Sequence, residues 1–68
     1  MDYYRIIVFD GREWKAVEHV FCPKESAIYK ARDIYNSGSY ENVAVELDND
    51  TKPGSNRKSM VYAVKGWN

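Results

Sequence analysis

The sequence predicts an α+β fold in which a four-stranded antiparallel sheet, in ββαββ order, carries one helix on one face. Three observations lead to this prediction. Residues 3–21 hold two segments rich in β-branched and aromatic residues, residues 23–38 hold an apolar stripe at helical spacing, and residues 40–67 hold two more strand-like segments. With 68 residues, the chain is expected to form a single domain over 1–68.

The first hairpin joins strands predicted at residues 3–9 and 14–21 through an Asp-Gly dipeptide, which is a strong turn signal. The cross-strand partner of Phe9 is Arg12 or Trp14, depending on which two residues form the loop. Both registers give the same two sheet faces, and only a loop of odd length would exchange them.

The helix is predicted to begin at Pro23 and to end at Gly38. Proline suits the first helical position, where its missing N–H costs nothing, and glycine suits a left-handed cap. The apolar stripe consists of Ala27, Ile28, Ala31, Ile34 and Tyr35.

The second half of the chain is predicted to form another hairpin with a long connection. Residues 40–47 alternate with period two, as in a half-buried strand. Residues 48–58 hold no apolar side chain and predict a flexible polar loop, and residues 59–67 predict the last strand. The alternative, a longer helix that absorbs residues 40–47, is disfavoured by Gly38 and by the period-two pattern.

The alternation of side chains assigns each strand residue to one of two faces. The face expected to pack on the helix carries Tyr4, Ile6, Val8, Val17, His19, Phe21, Val43, Val45, Leu47, Met60, Tyr62 and Val64. The face expected to meet solvent carries Tyr3, Arg5, Ile7, Phe9, Trp14, Ala16, Glu18, Val20, Ala44, Glu46, Val61, Ala63, Lys65 and Trp67. A contiguous apolar patch on a small protein usually marks an interaction site, so the second face is a candidate partner surface. The alternative is that one hairpin is inverted and these residues form core.

Motifs for chemistry are few. His19 and Cys22 are the soft metal-ligand candidates of the sequence, but zinc needs four ligands. They are also the one candidate Cys–His catalytic pair, but such a pair needs a substrate pocket. Residues 48–59 lack the glycine and glutamate positions of a calcium loop, and residues 52–59 lack the glycines of a phosphate-binding loop. We therefore expect no catalytic residue, no metal and no cofactor, and a protein that is not an enzyme.

Composition excludes several classes of protein. Ten basic and ten acidic residues give a net charge of zero, and 44% of the chain is hydrophobic, which is atypical of a disordered tail. One cysteine cannot form an internal disulfide. The longest apolar run, residues 6–9, is too short to cross a bilayer, and the first residues lack a signal-peptide pattern. We expect a soluble cytoplasmic protein that does not contact membranes.

The candidate partner-binding residues combine aromatic and basic side chains, because aromatic residues dominate binding hot spots and residues 51–68 hold bases but no acid. This set consists of Tyr3, Phe9, Trp14, Trp67, Lys52, Arg57, Lys58 and Lys65.

The first hypothesis is a non-enzymatic protein-binding module. The second is a small nucleic-acid-binding domain in which the rings stack on bases and the loop contacts phosphates, although neutrality argues against it. The third is homodimerisation through the open face or a free edge strand.

The segment Tyr-Arg-Ile-Ile-Val-Phe-Asp-Gly-Arg-Glu-Trp at residues 4–14, with the proline-initiated helix and second hairpin that follow, resembles small accessory proteins of phages and mobile elements. Among these it is similar to the compact single-helix, antiparallel-sheet anti-CRISPR proteins. The resemblance covers the whole chain and rests on size and element order, without a diagnostic motif. It implies a phage-encoded inhibitor that binds a host defence or effector complex in the host cytoplasm and blocks its nucleic-acid access or recruitment. It assigns no functional residue.

Overall fold

The computed structural model describes residues 1–67 and confirms the predicted ββαββ order. The strands are β1 (Asp2–Phe9), β2 (Trp14–Cys22), β3 (Asn42–Leu47) and β4 (Met60–Ala63), the helix is α1 (Lys24–Ser37), and a 3₁₀ turn spans Arg57–Ser59. The four strands form one antiparallel sheet in the order β2-β1-β3-β4. Within residues 1–67, no helix has the length and apolar character that crossing a membrane requires.

Helix α1 lies on the sheet through small and apolar side chains. Pro23 is the N-cap and not the first helical residue, so the helix begins at Lys24, one residue later than predicted. The Pro23 carbonyl accepts a hydrogen bond from the N–H of Ala27 at 3.3 Å. Ala27 and Ala31 are fully buried, and their short side chains allow the helix to approach β1 and β3 closely. Ile34 and Tyr35 pack at the margin of this core. The apolar stripe read from the sequence is therefore the face that the helix buries.

Gly38 ends the helix, but not in the left-handed conformation that the sequence predicted. Its backbone is extended (φ −110°, ψ 178°), and its N–H donates to the carbonyl of Ile34 at 2.9 Å. Glycine is required here for space, because a Cβ would lie 2.8 Å from the ring of Tyr40 and 2.9 Å from the Ile34 oxygen. The glycine marks the end of the helix through close packing of the chain that follows.

The turn of the first hairpin is organised by Asp10. Its Oδ1 accepts the N–H groups of Glu13 at 3.0 Å and of Arg12 at 2.8 Å, and Oδ2 lies 3.3 Å from Nζ of Lys15. The hydrogen bonds from Glu13 and Arg12 hold the pKa of Asp10 below its ordinary value. The charged carboxylate therefore stabilises the folded turn.

Asp10→Asn is expected to lower the free energy of unfolding at pH 7. The variant should also lack the part of the pH dependence of stability that comes from protonation of Asp10. Because the folded pKa of Asp10 is depressed, its stabilisation is complete above the unfolded pKa near about 4 and is lost as pH falls through the folded pKa. Asparagine keeps an oxygen acceptor but does not titrate. Urea unfolding from pH 7 to pH 2 should show wild type and variant converging in acid, with exposed Asp50→Asn as control. A difference that is constant over this range would contradict the prediction.

Strand β2 carries a β-bulge at Val17 that the sequence did not reveal. Ile7 pairs with Ala16, whereas the next pair joins Ile6 to Glu18, which leaves Val17 as the extra residue. One inserted residue moves every later side chain to the opposite face of the sheet. The assignment of side chains to the two sheet faces by alternation therefore holds for β2 before Val17 and fails after it.

The predicted faces of β2 are correct before the bulge and wrong after it. Phe21 stacks on Tyr3 on the side away from the helix, with ring centroids 4.5 Å apart. Glu18 lies on the helix side, where its Oε2 is 3.4 Å from Nζ of Lys30. The residues on the face opposite to the predicted one are Glu18, His19, Val20 and Phe21.

A second irregularity corrects the prediction for β4. The pairing of β3 with β4 shifts between Val45 and Glu46. Met60 consequently pairs with Glu46 on the side away from the helix, and Val61 packs against the helix-side core, the reverse of the expected arrangement. Leu47, which we expected to be buried, is 40% exposed at the end of β3.

The face that the sequence predicted to be open is covered at its centre by residues 48–59. Arg5 was expected to face water, but it is 5% exposed and its Nε lies 2.5 Å from Oε1 of Glu46, which is fully buried. The Arg5 guanidinium also donates to the backbone carbonyls of Asn49 at 3.1 Å and Thr51 at 2.7 Å. The polar loop is thus bound to the sheet, and its carbonyls satisfy a buried cation.

Candidate partner-binding site

At the hairpin end of this covered face, three aromatic side chains contact one another. Phe9 pairs with Trp14 across the hairpin, the register that a Gly-Arg loop predicts, and their ring centroids are 5.2 Å apart at 44°. Trp14 packs in turn on Trp67, at 5.3 Å and 49°. Such tilted arrangements are favourable for aromatic pairs. We call Phe9, Trp14 and Trp67 the aromatic cluster.

Trp67 reaches the cluster because Asn42 holds the turn that precedes it. Nδ2 of Asn42 donates to the carbonyl of Gly66 at 3.1 Å, and its Oδ1 accepts the N–H of Lys65 at 3.0 Å. Gly66 has φ +83°, a conformation that favours glycine. Asn42 could not be predicted as part of the site, because its side chain bonds to backbone more than twenty residues away along the chain.

The polar loop, residues 48–59, packs on the aromatic cluster from the side away from the sheet. Gly54 lies so close to Trp14 that a Cβ at this position would be 2.2 Å from Cδ1 of the indole. The guanidinium of Arg57 lies over the Trp67 ring, 5.9 Å from its centroid, which is within cation–π range. Both tryptophans are therefore held between the sheet and the loop.

An open cleft of about 320 Å³ lies beside the cluster. Its walls consist of Phe9, Trp14, Glu41, Asn42, Lys65, Gly66 and Trp67. Glu41 contributes a carboxylate and Lys65 an ammonium group, so the cleft combines aromatic surface with both signs of charge. Among the described residues, Nε1 of Trp67 is a buried nitrogen without a hydrogen-bond partner. Burying such a donor unpaired costs about 1–3 kcal/mol, and packing of the ring must offset this.

The structure brings part of the predicted binding set together and separates the rest. The members that meet at the cleft or the aromatic cluster are Phe9, Trp14, Trp67, Arg57 and Lys65. Tyr3 lies about 20 Å from Phe9 along β1, given a rise of about 3.3 Å per residue, and stacks on Phe21 instead. Lys52 and Lys58 are exposed on the loop. Glu41, a wall of the cleft, was not predicted, since nothing in its neighbouring sequence distinguishes it from other surface acids.

His19 and Cys22 do not form a catalytic pair. The bulge places His19 on the loop side, where its Nδ1 is 3.1 Å from Oδ2 of Asp48. Cys22 packs against the core on the helix side. The sheet therefore separates the sulfur from the imidazole. In residues 1–67 no three His, Cys, Asp or Glu side chains are grouped so that they could hold a metal ion.

Comparison with models of known protein families gave no match. Curated proteins and solved structures likewise gave no significant match to this chain. The function is accordingly inferred from the geometry of the cleft and of the sheet.

Proposed function

We propose that the protein is a non-enzymatic binding module that contacts a protein partner at the cleft beside the aromatic cluster. The observation that carries this proposal is the arrangement of three aromatic rings, fixed by Asn42 and Gly54, at a cleft open to solvent. Aromatic side chains supply most hot spots in protein interfaces. Rings that are already ordered lose little conformational entropy when a partner binds.

The charges around the cleft support a polypeptide partner. Glu41 and Lys65 both line it, and Arg57 lies over the neighbouring Trp67. Opposite charges on one surface fix the register of a partner that carries the complementary pattern. The net charge of zero gives the whole protein no general attraction to a polyanion.

Nucleic-acid binding would use the same residues differently. Single-stranded nucleic acid binds by stacking bases on exposed aromatic faces above a basic groove. Here Arg57 covers part of Trp67 and Gly54 covers part of Trp14. These contacts favour a protein partner, while the exposed Lys52 and Lys58 keep nucleic acid as the second outcome of the test.

The resemblance to anti-CRISPR proteins would make the partner a host CRISPR effector complex, and the protein an inhibitor in the host cytoplasm. This identification is a prediction that rests on the resemblance in size and element order.

The proposal is tested with tagged wild type, Trp67→Ala and Tyr29→Ala in lysate of the source organism or its host, with and without nuclease treatment. Tyr29 is 76% exposed on the helix, away from the cleft, and provides a matched loss of an aromatic ring. We expect one stoichiometric protein partner to bind wild type and Tyr29→Ala, and to bind Trp67→Ala at least about tenfold more weakly, as for a hot-spot residue. Circular dichroism of each variant confirms that the fold is retained.

Two results would contradict the proposal. Undiminished recovery of the partner by Trp67→Ala would move the binding surface away from the cleft. Recovery of nucleic acid alone, lost on nuclease treatment and falling steeply with salt, would establish the second function.

A further inference from the structure

Within residues 1–67, strand β2 is an edge of the sheet, and one side of its backbone has no neighbouring strand. It spans nine residues, against four for β4 at the opposite edge. Ala16, Val17, His19 and Phe21 are exposed along it. A long exposed edge strand is a template for pairing with another strand.

The hydrogen bonds of β1 identify which groups of β2 are free. The carbonyl of Tyr3 accepts the N–H of Asp48, and the carbonyl of Phe9 accepts the N–H of Glu41, both on the side of β3. Odd-numbered residues of β1 therefore direct their backbone groups to β3, and even-numbered residues direct theirs to β2. The residues of β2 opposite odd-numbered positions of β1 must direct their N–H and C=O groups away from the sheet. These residues are Trp14, Ala16, His19 and Phe21.

We propose that a second copy of this chain pairs with β2 in antiparallel register, so that the two sheets become one. One register aligns all the outward-directed groups: Trp14 of one copy faces Phe21 of the other, and Ala16 faces His19. The two-fold axis then passes between residues 17 and 18 of the two strands. Each aligned pair exchanges two backbone hydrogen bonds in an antiparallel ladder.

The side chains match in this register. Trp14 and Phe21 both lie on the loop side of the sheet, so they form an aromatic cross-strand pair between the copies. Lys15 lies opposite Val20, and Glu18 lies opposite Val17, so no like-charged residues are directly opposite each other. The two copies of Glu18 lie diagonally across the axis, and each has Lys30 of its own chain at 3.4 Å. The match depends on the bulge, which brings Phe21 to the same face as Trp14.

The pairing also accounts for exposed apolar surface. Phe21 is 52% exposed and Val17 47% exposed, and Tyr3, which stacks on Phe21, is 66% exposed. In the dimer, Tyr3 and Phe21 of one copy continue into Trp14 and Phe9 of the other as a single aromatic row. A domain of this size buries only about 60% of its unfolded surface alone, so the added contact is a substantial gain.

Residue-resolved amide hydrogen exchange tests the pairing at two protein concentrations. At about 1 mM, where interfaces of small area are populated, the amides of Trp14, Ala16, His19 and Phe21 should exchange at least about tenfold more slowly than in dilute solution. The amides of Lys15 and Val20, which face β1, should exchange slowly at both concentrations. Sedimentation equilibrium at the higher concentration should give twice the chain mass.

Two variants locate the contact. His19→Pro removes an outward N–H at a position where an edge strand tolerates proline, and Phe21→Lys removes the aromatic pair and leaves the backbone intact. Both should sediment as folded monomers at about 1 mM, whereas Tyr29→Lys, on the exposed side of the helix, should remain dimeric.

A wild-type monomer at this concentration, with fast exchange of all four outward amides, would overturn the proposal and leave the edge to a strand of another protein. A dimer that persists in Phe21→Lys without protection of these amides would overturn it as well, because the contact would lie elsewhere.

Discussion

Glu46→Gln is expected to destabilise the fold by about 3–5 kcal/mol, the usual effect of removing one partner from a buried ion pair. Glu46 is fully buried and its carboxylate lies 2.5 Å from Nε of Arg5, so the amide removes the counter-charge of the buried guanidinium. A chain of this length has a total stability of about 3–10 kcal/mol. The variant should therefore be largely unfolded or close to it, as measured by urea denaturation followed by tryptophan fluorescence.

Glu18→Gln is the matched control. Glu18 pairs with Lys30 at 3.4 Å at the surface, and removing such an exposed pair should change stability by less than about 1 kcal/mol. Combining Arg5→Met with Glu46→Leu should recover the part of the loss that comes from the buried charge, since apolar residues leave none, while the Asn49 and Thr51 carbonyls lose their donor. If Glu46→Gln were as mild as Glu18→Gln, the buried charge would not be what makes Glu46 necessary.

Gly54→Ala is expected to destabilise the fold by about 2–5 kcal/mol. Gly54 has φ +78°, which costs a residue with a Cβ about 1–2 kcal/mol, and the new methyl group would lie 2.2 Å from Cδ1 of Trp14. Relieving such an overlap by moving the loop or the ring typically costs about 1–3 kcal/mol more. The indole fluorescence should change in the folded variant, because the surroundings of Trp14 change with it.

Gly66→Ala separates the two contributions. Gly66 has a similar φ of +83°, but a Cβ there meets nothing within 4 Å among the described residues. It should therefore show the backbone strain alone, about 1–2 kcal/mol. Equal effects of the two alanine variants would mean that the contact between Gly54 and Trp14 does not hold the loop on the sheet.

The order of elements could be predicted because each one has a local signal. The helix shows in the spacing of Ala27 and Ala31, and β3 shows in the alternation of Val43 and Val45. The bulge at Val17 has no such signal, because it is a property of the pairing between two strands and not of either sequence alone. One unseen residue was enough to place Phe21 on the wrong face.

The covered face was misjudged for a different reason. A lone arginine and a lone glutamate in two strands are normally signs of a solvated face, since charged residues are rarely buried unless paired. Arg5 and Glu46 are 41 positions apart, and their pairing appears only when β1 and β3 lie side by side. The aromatic side chains were identified from residue type, whereas the roles of Asn42 and Gly54 required the fold.

The way Arg5 holds the loop leaves the loop free to vary. The shorter loop contacts of Arg5 are made by the main-chain oxygens of Asn49 and Thr51, which any amino acid supplies. The Asn49 side chain is the exception, because it bonds to Leu47, Ser59 and Thr51 and so fixes the path of the loop. The side chains of Asp50 and Lys52 are exposed on a backbone that is already anchored. Substitutions at these exposed positions should therefore change the chemistry of the loop surface while its path across the sheet stays the same.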